Sequence, residues 1–242
     1  SRMAFILAVT GSAVGLGNIW TFPYIAGENG GGAFVLVYLI CVIVIGMPVL
    51  MSEILIGRRG RRNPVATMEL LGKEEGSSPN WKWVGGMGVV AGILILSYYS
   101  VVAGWTLAYI VKSATGAFAG ATPAAVGAEF DSFVADWRKV ALTHTVFMAL
   151  AVFVVARGVE RGLEQAVRFM VPALLLLMFV LLAYSINSGY FGQGVSFMFT
   201  PDWAKLTWGS VLAALGQAFF TLSIGMGAVM AYGAYLPEET SI

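Results

Sequence analysis

Apolar residues fall into six long runs along the chain, and short polar segments rich in charge or glycine separate them. A helix needs about 20 mostly apolar residues to cross the hydrocarbon core of a bilayer, and each run approaches or exceeds that length. The pattern predicts six transmembrane helices, at Met3–Ala26, Ala33–Gly57, Trp83–Lys112, Val140–Ala156, Phe169–Ser188 and Leu206–Leu236.

Two of the six runs are interrupted near their centres by small and polar residues. The first contains Gly11–Asn18, with the sequence GSAVGLGN, and the sixth contains Thr221–Gly227, with the sequence TLSIGMG. Backbone groups freed at bilayer depth have no water to bond, so such breaks are tolerated where they are enclosed by protein or line a cavity. A pair of interrupted segments points to a transporter binding site. We therefore predict an all-α membrane protein whose first and sixth helices are unwound at the centre.

Composition agrees with a membrane protein and removes several other classes. Hydrophobic residues make up 58% of the chain and charged residues only 11%, against about 25% charged residues in soluble domains. The net charge of +1 gives no reason to expect a nucleic-acid partner, and the single Cys41 rules out an intrachain disulfide. The only histidine, His144, has no cluster of metal ligands or catalytic partners in the sequence. We expect no enzyme activity.

The basic residues of the loops predict the orientation in the membrane. Cytoplasmic loops of membrane proteins are enriched in Lys and Arg. The cations concentrate after the second and fourth predicted helices, at Arg58, Arg59, Arg61, Arg62, Lys73, Lys82, Arg157, Arg161 and Arg168. The N-terminus is therefore predicted to be cytoplasmic, and Ala114–Asp136 is predicted to be a long external loop.

Three segments carry a family resemblance. Gly11–Trp20 followed by Phe22–Tyr24, then Glu28–Phe34, and finally Gly216–Ser223 resemble signature segments of the neurotransmitter:sodium symporter family, in particular its bacterial amino-acid transporters of the leucine-transporter type. The resemblance implies a fold of two inverted five-helix repeats. Residues 1–188 would form the first repeat, and residues 189–242 an external loop and the sixth helix. The chain would then be about half of a transporter, with the seventh helix and those after it as missing partners.

The resemblance also implies a substrate site built from both helix breaks and the third helix. Its predicted members are Ala13, Leu16, Gly17, Ile95, Tyr99, Phe220, Thr221, Ser223 and Met226. The amides of Leu16 and Gly17 would lie at the positive end of a half-helix, which suits a substrate carboxylate. The side chains of Ile95, Tyr99, Phe220 and Met226 would surround an apolar substrate side chain.

The same resemblance implies two sodium sites, both incomplete in this chain. The first would use the Ala13 carbonyl, the Asn18 side chain, Thr221 and the substrate carboxylate. The second would use the carbonyls of Gly11 and Val14 together with ligands beyond residue 242. Chloride use stays open at this stage, because its deciding position would lie on the seventh helix.

Three further residues are predicted to support or gate the site. Glu53 is an intramembrane carboxyl group, which is a functional candidate by default, and the resemblance implies that it braces the broken helices. Gly162 and Pro172 flank the start of the fifth predicted helix. They indicate either a segment that unwinds as an inner gate or an ordinary helix start that Pro172 kinks. If chloride binds, Gln217, Tyr38 and Thr221 would be its candidate ligands in this chain.

The predicted function is sodium-coupled symport of a hydrophobic L-amino acid across the bacterial inner membrane by alternating access. One alternative is an amino-acid sensor of the same fold that binds but does not translocate. Another is a helical subunit whose Gly11-xxx-Gly15 motif serves only helix packing, a common use of small residues in membranes.

Gly15 yields a first prediction about substrate class. Monoamine transporters of the resembled family carry an aspartate at the matching position, so glycine favours a substrate with its own carboxylate. Gly15→Asp should impair amino-acid uptake, because the new carboxylate would compete with that of the substrate and would cost desolvation free energy. Undiminished uptake by this variant in proteoliposomes would contradict the assignment of the pocket.

Overall fold

The computed structural model describes residues 10–11, 13–158, 162 and 164–236 of the chain. Residues 3–9 of the first predicted helix lie outside this part, as do Ser12 and Arg161. The helices of the described part are α1 (Phe22–Glu28), α2 (Gly32–Gly60, with a π-helical turn at Val42–Gly46), α3 (Pro64–Glu74), α4 (Lys82–Ala114), α5 (Pro123–Ala135), α6 (Trp137–Val155), α7 (Glu164–Asn187), α8 (Phe191–Phe199), α9 (Trp208–Leu222) and α10 (Ala228–Gly233).

Four of the predicted transmembrane helices are present as continuous helices. Within the described residues, four helical stretches are long and apolar enough to cross a bilayer, and these are Gly32–Gly60, Pro79–Ala114, Trp137–Val155 and Gln165–Asn187. Their ends fall within a few residues of the predicted second to fifth helices, apart from the longer start of the fifth. The sixth predicted helix is instead divided into α9 and α10, as the small residues at its centre indicated.

The chain forms two compact units. The first comprises residues 1–91 and 164–242, and the second comprises residues 92–163, so α4 contributes to both. These units are defined by packing, whereas the boundary predicted at residue 188 separates two inverted repeats of the fold. That boundary stays a prediction.

In the first unit, the two halves of the broken sixth helix pack against α2. Ile54 of α2 forms a buried cluster with Ile224, Val229 and Leu236. The approach is close because α2 carries glycine at the crossing: a methyl group at Gly57 would overlap the main-chain carbonyl of Met230. Small residues at helix crossings are the usual means of tight packing in membranes.

In the second unit, α4 and α6 also cross at a glycine. A methyl group at Gly104 would come within 2.7 Å of the His144 main-chain nitrogen. The helix α5 is held to the end of α4 by Lys112, whose Nζ lies 2.7 Å from Glu129 Oε1. The hydrogen bond from Lys112, and then its charge, lower the pKa of the Glu129 carboxyl group.

Three helices occupy segments that were predicted as loops, namely α3, α5 and α8. The first two begin at side-chain caps that the sequence displays. Asn63 accepts a hydrogen bond from the Ala66 amide and Thr122 accepts one from the Ala125 amide, and a proline follows each cap, which suits a first helical turn. The prediction of a long external loop at Ala114–Asp136 therefore missed α5.

Most apolar side chains of the long helices lie on the surface. In the apolar part of Trp137–Val155, no residue is buried. In the apolar part of Gln165–Asn187, only 6% of the residues are buried. An apolar surface of this extent is not stable in water. Together with the length of the helices, it indicates an integral membrane protein.

The crossing at Gly57 can be tested by adding one methyl group. Gly57→Ala should lower the melting temperature of the detergent-solubilised full-length protein, because overpacking at a tight contact costs about 1–3 kcal/mol. Gly86→Ala on α4 is the matched control, since a methyl group there meets nothing within 4 Å. A control as destabilised as Gly57→Ala would show that the crossing is not close packed.

Candidate functional site

The sixth helix is interrupted where its sequence becomes rich in glycine. The helix α9 ends at Leu222, and Ser223 takes a left-handed conformation with a φ of 55°. Gly225 and Gly227 follow with φ values of 83° and 75°, and α10 begins at Ala228. Glycine adopts such φ values without a Cβ clash, which explains the two glycines. Ser223 is one of two non-glycine residues with a positive φ in the described part.

The first helix is interrupted at Val14 and Gly15, which form bends between helical residues. Beyond them, Gly17–Thr21 is a π-helical turn that continues into α1, where Pro23 occupies the first turn. Glycine, proline and a π-turn all relax the regular hydrogen-bond ladder of a helix. Both predicted interruptions are therefore present.

Polar side chains join the two interruptions directly. The Thr221 hydroxyl donates to Asn18 Oδ1 at 2.9 Å, and Asn18 Nδ2 donates to the Ala13 carbonyl at 2.6 Å. Gln217, only 5% exposed, donates from Nε2 to the Gly17 carbonyl at 3.2 Å. This network brings a carbonyl, an amide and a hydroxyl oxygen together at the point where both helices are open.

An aromatic side chain packs on the first interruption. A methyl group at Gly17 would overlap the ring of Phe220, so glycine at residue 17 is what allows the α9 side chain to lie there. The two residues were predicted to share a substrate site, and the structure brings them together.

A buried carboxyl group holds the second interruption from the side of α2. Glu53 is 8% exposed, and its Oε1 accepts a hydrogen bond of 2.6 Å from the Gly225 main-chain nitrogen. The contact satisfies one amide that the broken helix leaves without a helical partner. The bracing role of Glu53 itself stays a prediction.

The remaining predicted site residues lie elsewhere or only beside the network. Gly11 packs against α7, where a methyl group on it would come within 3.0 Å of Val167. Ser223 and Met226 are within the second interruption. Ile95 and Tyr99 lie one turn apart on α4, in the second compact unit, and their place in a substrate site stays a prediction.

The two predicted gate residues have different surroundings. Gly162 is buried beside the Val154 carbonyl, which a methyl group would overlap. Pro172 lies inside the continuous helix α7. Residues 159–161 and 163 are outside the described part, so unwinding of this segment stays a prediction.

One residue near the second interruption was not predicted. Gly88 of α4 approaches the break so closely that a methyl group on it would come within 3.1 Å of the Gly225 carbonyl. The signal in the sequence is the glycine spacing at Gly85 and Gly88, inside a segment that is otherwise long and apolar. Such spacing indicates a close helix contact, although it does not identify the partner.

Two broken membrane helices joined through partly buried oxygens define the class of solute transporters with discontinuous helices. The model of the sodium:neurotransmitter symporter family matches residues 1–126 and 126–242, so the chain belongs to that family. The members of this family are transporters and not enzymes, and this confirms the prediction made from the sequence.

Known proteins agree with this assignment. The chain is 43% identical over 242 residues to the "Uncharacterized sodium-dependent transporter YhdH" of Bacillus subtilis, covering 100% of this chain and 53% of that protein. It is 29% identical over 276 residues to the "Sodium-dependent neutral amino acid transporter B(0)AT2" of Bos taurus, covering 100% of this chain and 36% of that protein.

A solved structure agrees as well. The crystal structure of MhsT in complex with L-phenylalanine matches with a TM-score of 0.90 and 44% identity, covering 99% of this chain and 54% of that one. MhsT has the leucine-transporter fold, which confirms the predicted fold class. The chain spans about half the length of the bacterial proteins that it matches.

The hydrogen bond between the two interruptions can be tested with isosteric substitutions. Thr221→Val should lower the stability of the full-length protein in sodium-free buffer by about 1–2 kcal/mol, because it leaves Asn18 Oδ1 without its donor. Thr221→Ser keeps the hydroxyl group and should restore most of the loss. Equal melting temperatures for the two variants would show that the bond does not hold the helices together.

Proposed function

We propose that this chain forms about half of a transporter that couples the entry of sodium to the uptake of an L-amino acid with an apolar side chain. The observation that carries the proposal is the network of Ala13, Asn18 and Thr221, which joins the two interrupted helices through oxygen atoms. A ligand bound there would contact both helices at once, so its binding would be linked to their relative position.

The oxygens of this network suit sodium. Carbonyl, amide and hydroxyl oxygens are hard ligands of the kind that hard cations prefer. The Thr221 hydroxyl now donates to Asn18, but a hydroxyl group rotates and can present a lone pair instead. No cluster of His, Cys, Asp or Glu that would favour a transition metal occurs in the described residues. A second sodium would be held by the Gly11 and Val14 carbonyls with ligands from outside this chain.

The substrate follows from the same interruption and from the relatives. The half-helix that begins near Gly17 presents its positive end to the break, which favours a carboxylate. Phe220 covers Gly17 with an aromatic ring, which favours an apolar side chain. The MhsT structure contains L-phenylalanine and the bovine relative is named for neutral amino acids. We infer an apolar L-amino acid as substrate.

Coupling and orientation complete the proposal. If the substrate carboxylate and sodium share ligands, each raises the affinity for the other by the same factor. The charge asymmetry of the loops supports a cytoplasmic N-terminus in the bacterial inner membrane. Loosening of the segment from Gly162 to Pro172 would release sodium to the cytoplasm.

Uptake by the full-length protein in proteoliposomes tests the function. A sodium gradient directed inward should drive accumulation of a labelled apolar amino acid such as L-phenylalanine, and an equal potassium gradient should not. Binding of the amino acid with sodium but without accumulation would contradict symport and support the sensor alternative.

The sodium ligand Asn18 supplies a sharper test. Asn18→Ala should weaken sodium binding by about 1–3 kcal/mol, about 5- to 150-fold in affinity, and should weaken amino-acid binding through linkage. Asn187→Ala is the matched control, because within the described part of the chain that amide bonds the Ala183 carbonyl of its own helix, at 2.8 Å, and no residue of another helix. An unchanged sodium dependence in Asn18→Ala would show that this residue is not a ligand.

A further inference from the structure

The long helix α2 departs from regular α-helical bonding in its middle, at the π-helical turn Val42–Gly46. There the Met47 main-chain nitrogen donates to the Val42 carbonyl, five residues earlier, instead of the four of an α-helix. The cause is Pro48, which has no amide hydrogen and whose ring would clash with the Val44 carbonyl in a regular helix. The preceding turn widens to avoid this clash. Such turns occur often at functional positions.

The segment of α2 before this turn packs against α1 and α9, which are halves of the two interrupted helices. Phe34 is buried and forms a cluster with Ala26 of α1 and Ala214 of α9. A main-chain hydrogen bond holds the same elements, since the Asp202 nitrogen, shortly before α9, donates to the Gly30 carbonyl, shortly after α1, at 3.2 Å. We call α1, this segment of α2 and α9 the first helix group.

The segment of α2 after the turn packs against the other half of the sixth helix. Glu53 Oε1 accepts the hydrogen bond from the Gly225 amide. Directly after α2, the Arg61 guanidinium group donates to the Leu236 carbonyl at 3.4 Å. A buried apolar cluster joins the same elements and consists of Ile54, Ile224, Val229 and Leu236. We call this segment of α2 and α10 the second helix group.

The π-helical turn separates the two helix groups. Among the described residues, the α2 side chains that pack on the first cluster end at Tyr38, and those that pack on the second begin at Val49. Within the turn, Ile43 and Val44 are 60% and 65% exposed, so these side chains face away from the other helices. Little packing therefore opposes a bend of α2 at this place.

The sixth helix touches the turn next to its own interruption. A methyl group at Gly46 would come within 2.5 Å of Leu222 Cδ1, so the missing side chain at residue 46 makes room for Leu222. Leu222 is the last residue of α9, and the left-handed Ser223 follows it. The weak point of α2 thus lies beside the weak point of the sixth helix, and a bend in one helix can accompany a bend in the other.

We propose that α2 is a hinge at Val42–Pro48, which allows the second helix group to tilt against the first about the contact of Leu222 with Gly46. Gly46 and Pro48 act through the helices that they position. A substrate held between Thr221 and the second interruption would contact both groups, and its binding would change the angle between them. That last step rests on the proposed function, whereas the hinge itself rests on the bonding and packing of α2.

Spin-label distance measurements on the purified full-length protein test the hinge. Reactive cysteines are replaced first, and labels are attached at Leu212→Cys on α9 and Tyr235→Cys beside α10, both at side chains that are 70% exposed. The α2 segment Met47–Gly60 has 14 residues and is about 21 Å long, so a bend of about 10° moves its far end by about 3–4 Å. The Leu212–Tyr235 distance distribution in potassium, without amino acid, should be broadened by that amount.

Substitutions of Pro48 separate a hinge from ordinary packing. Pro48→Ala restores the amide donor and removes the ring clash, so it should straighten α2 and narrow the Leu212–Tyr235 distribution. Pro48→Gly also restores the donor, but glycine stays flexible within a helix, so this variant should keep most of the width. Pro123→Ala is the matched control, because Pro123 occupies the first turn of α5, where proline removes no helical hydrogen bond.

A second label pair and added ligands complete the test. Labels at Leu55→Cys and Tyr235→Cys lie within the second helix group, so their distance distribution should be narrow and the same in the wild type and every variant. Sodium with an apolar L-amino acid such as L-phenylalanine should shift the Leu212–Tyr235 distance in the wild type and in Pro48→Gly. The shift should be lost in Pro48→Ala.

Equal Leu212–Tyr235 distributions in potassium for the wild type and both Pro48 variants would overturn the hinge. So would equal widths for the two label pairs in the wild type, a comparison that needs no substitution at Pro48 and decides the result if such a variant does not fold. A narrower distribution in Pro48→Ala, with no response of the wild type to sodium and any apolar L-amino acid, would support the hinge and contradict the proposed function.

Discussion

The structure depends on satisfying main-chain groups that two helices leave open within an apolar environment. An unpaired amide or carbonyl costs several kcal/mol in hydrocarbon, so an interrupted helix persists only where side chains take over the missing bonds. Gln217 does this for the Gly17 carbonyl, Asn18 for the Ala13 carbonyl and Glu53 for the Gly225 amide. These polar residues are therefore structural supports as well as candidates for function.

The same demand explains why glycine recurs around the interruptions. The α2 helix can approach α10 closely only because Gly57 has no side chain, and α4 can approach the break only because of Gly88. The side chains of Gln217 and Glu53 bond the main chain of another helix, so the helices must come close enough for these side chains to reach. Tight packing and polar contact are therefore two parts of one arrangement.

The sequence predicted the transmembrane helices well, because hydrophobic length is a direct requirement of the bilayer. It predicted the interruptions from Gly15 and Gly225, whose small size weakens a helix. It missed α3, α5 and α8, since these helices lie outside the long apolar runs. The caps at Asn63 and Thr122 were visible in the sequence, but a cap residue alone is common in turns.

The sequence by itself determined the class of protein, the positions of the helix breaks and, through the resemblance of its motifs, the family. These properties depend on local composition and spacing, which are read along the chain. Only the tertiary structure decided that Thr221 bonds Asn18, that Phe220 covers Gly17 and that Glu53 bonds the Gly225 amide. Such pairings join residues roughly 200 positions apart in the chain, and helix packing sets them through distances that no local pattern records.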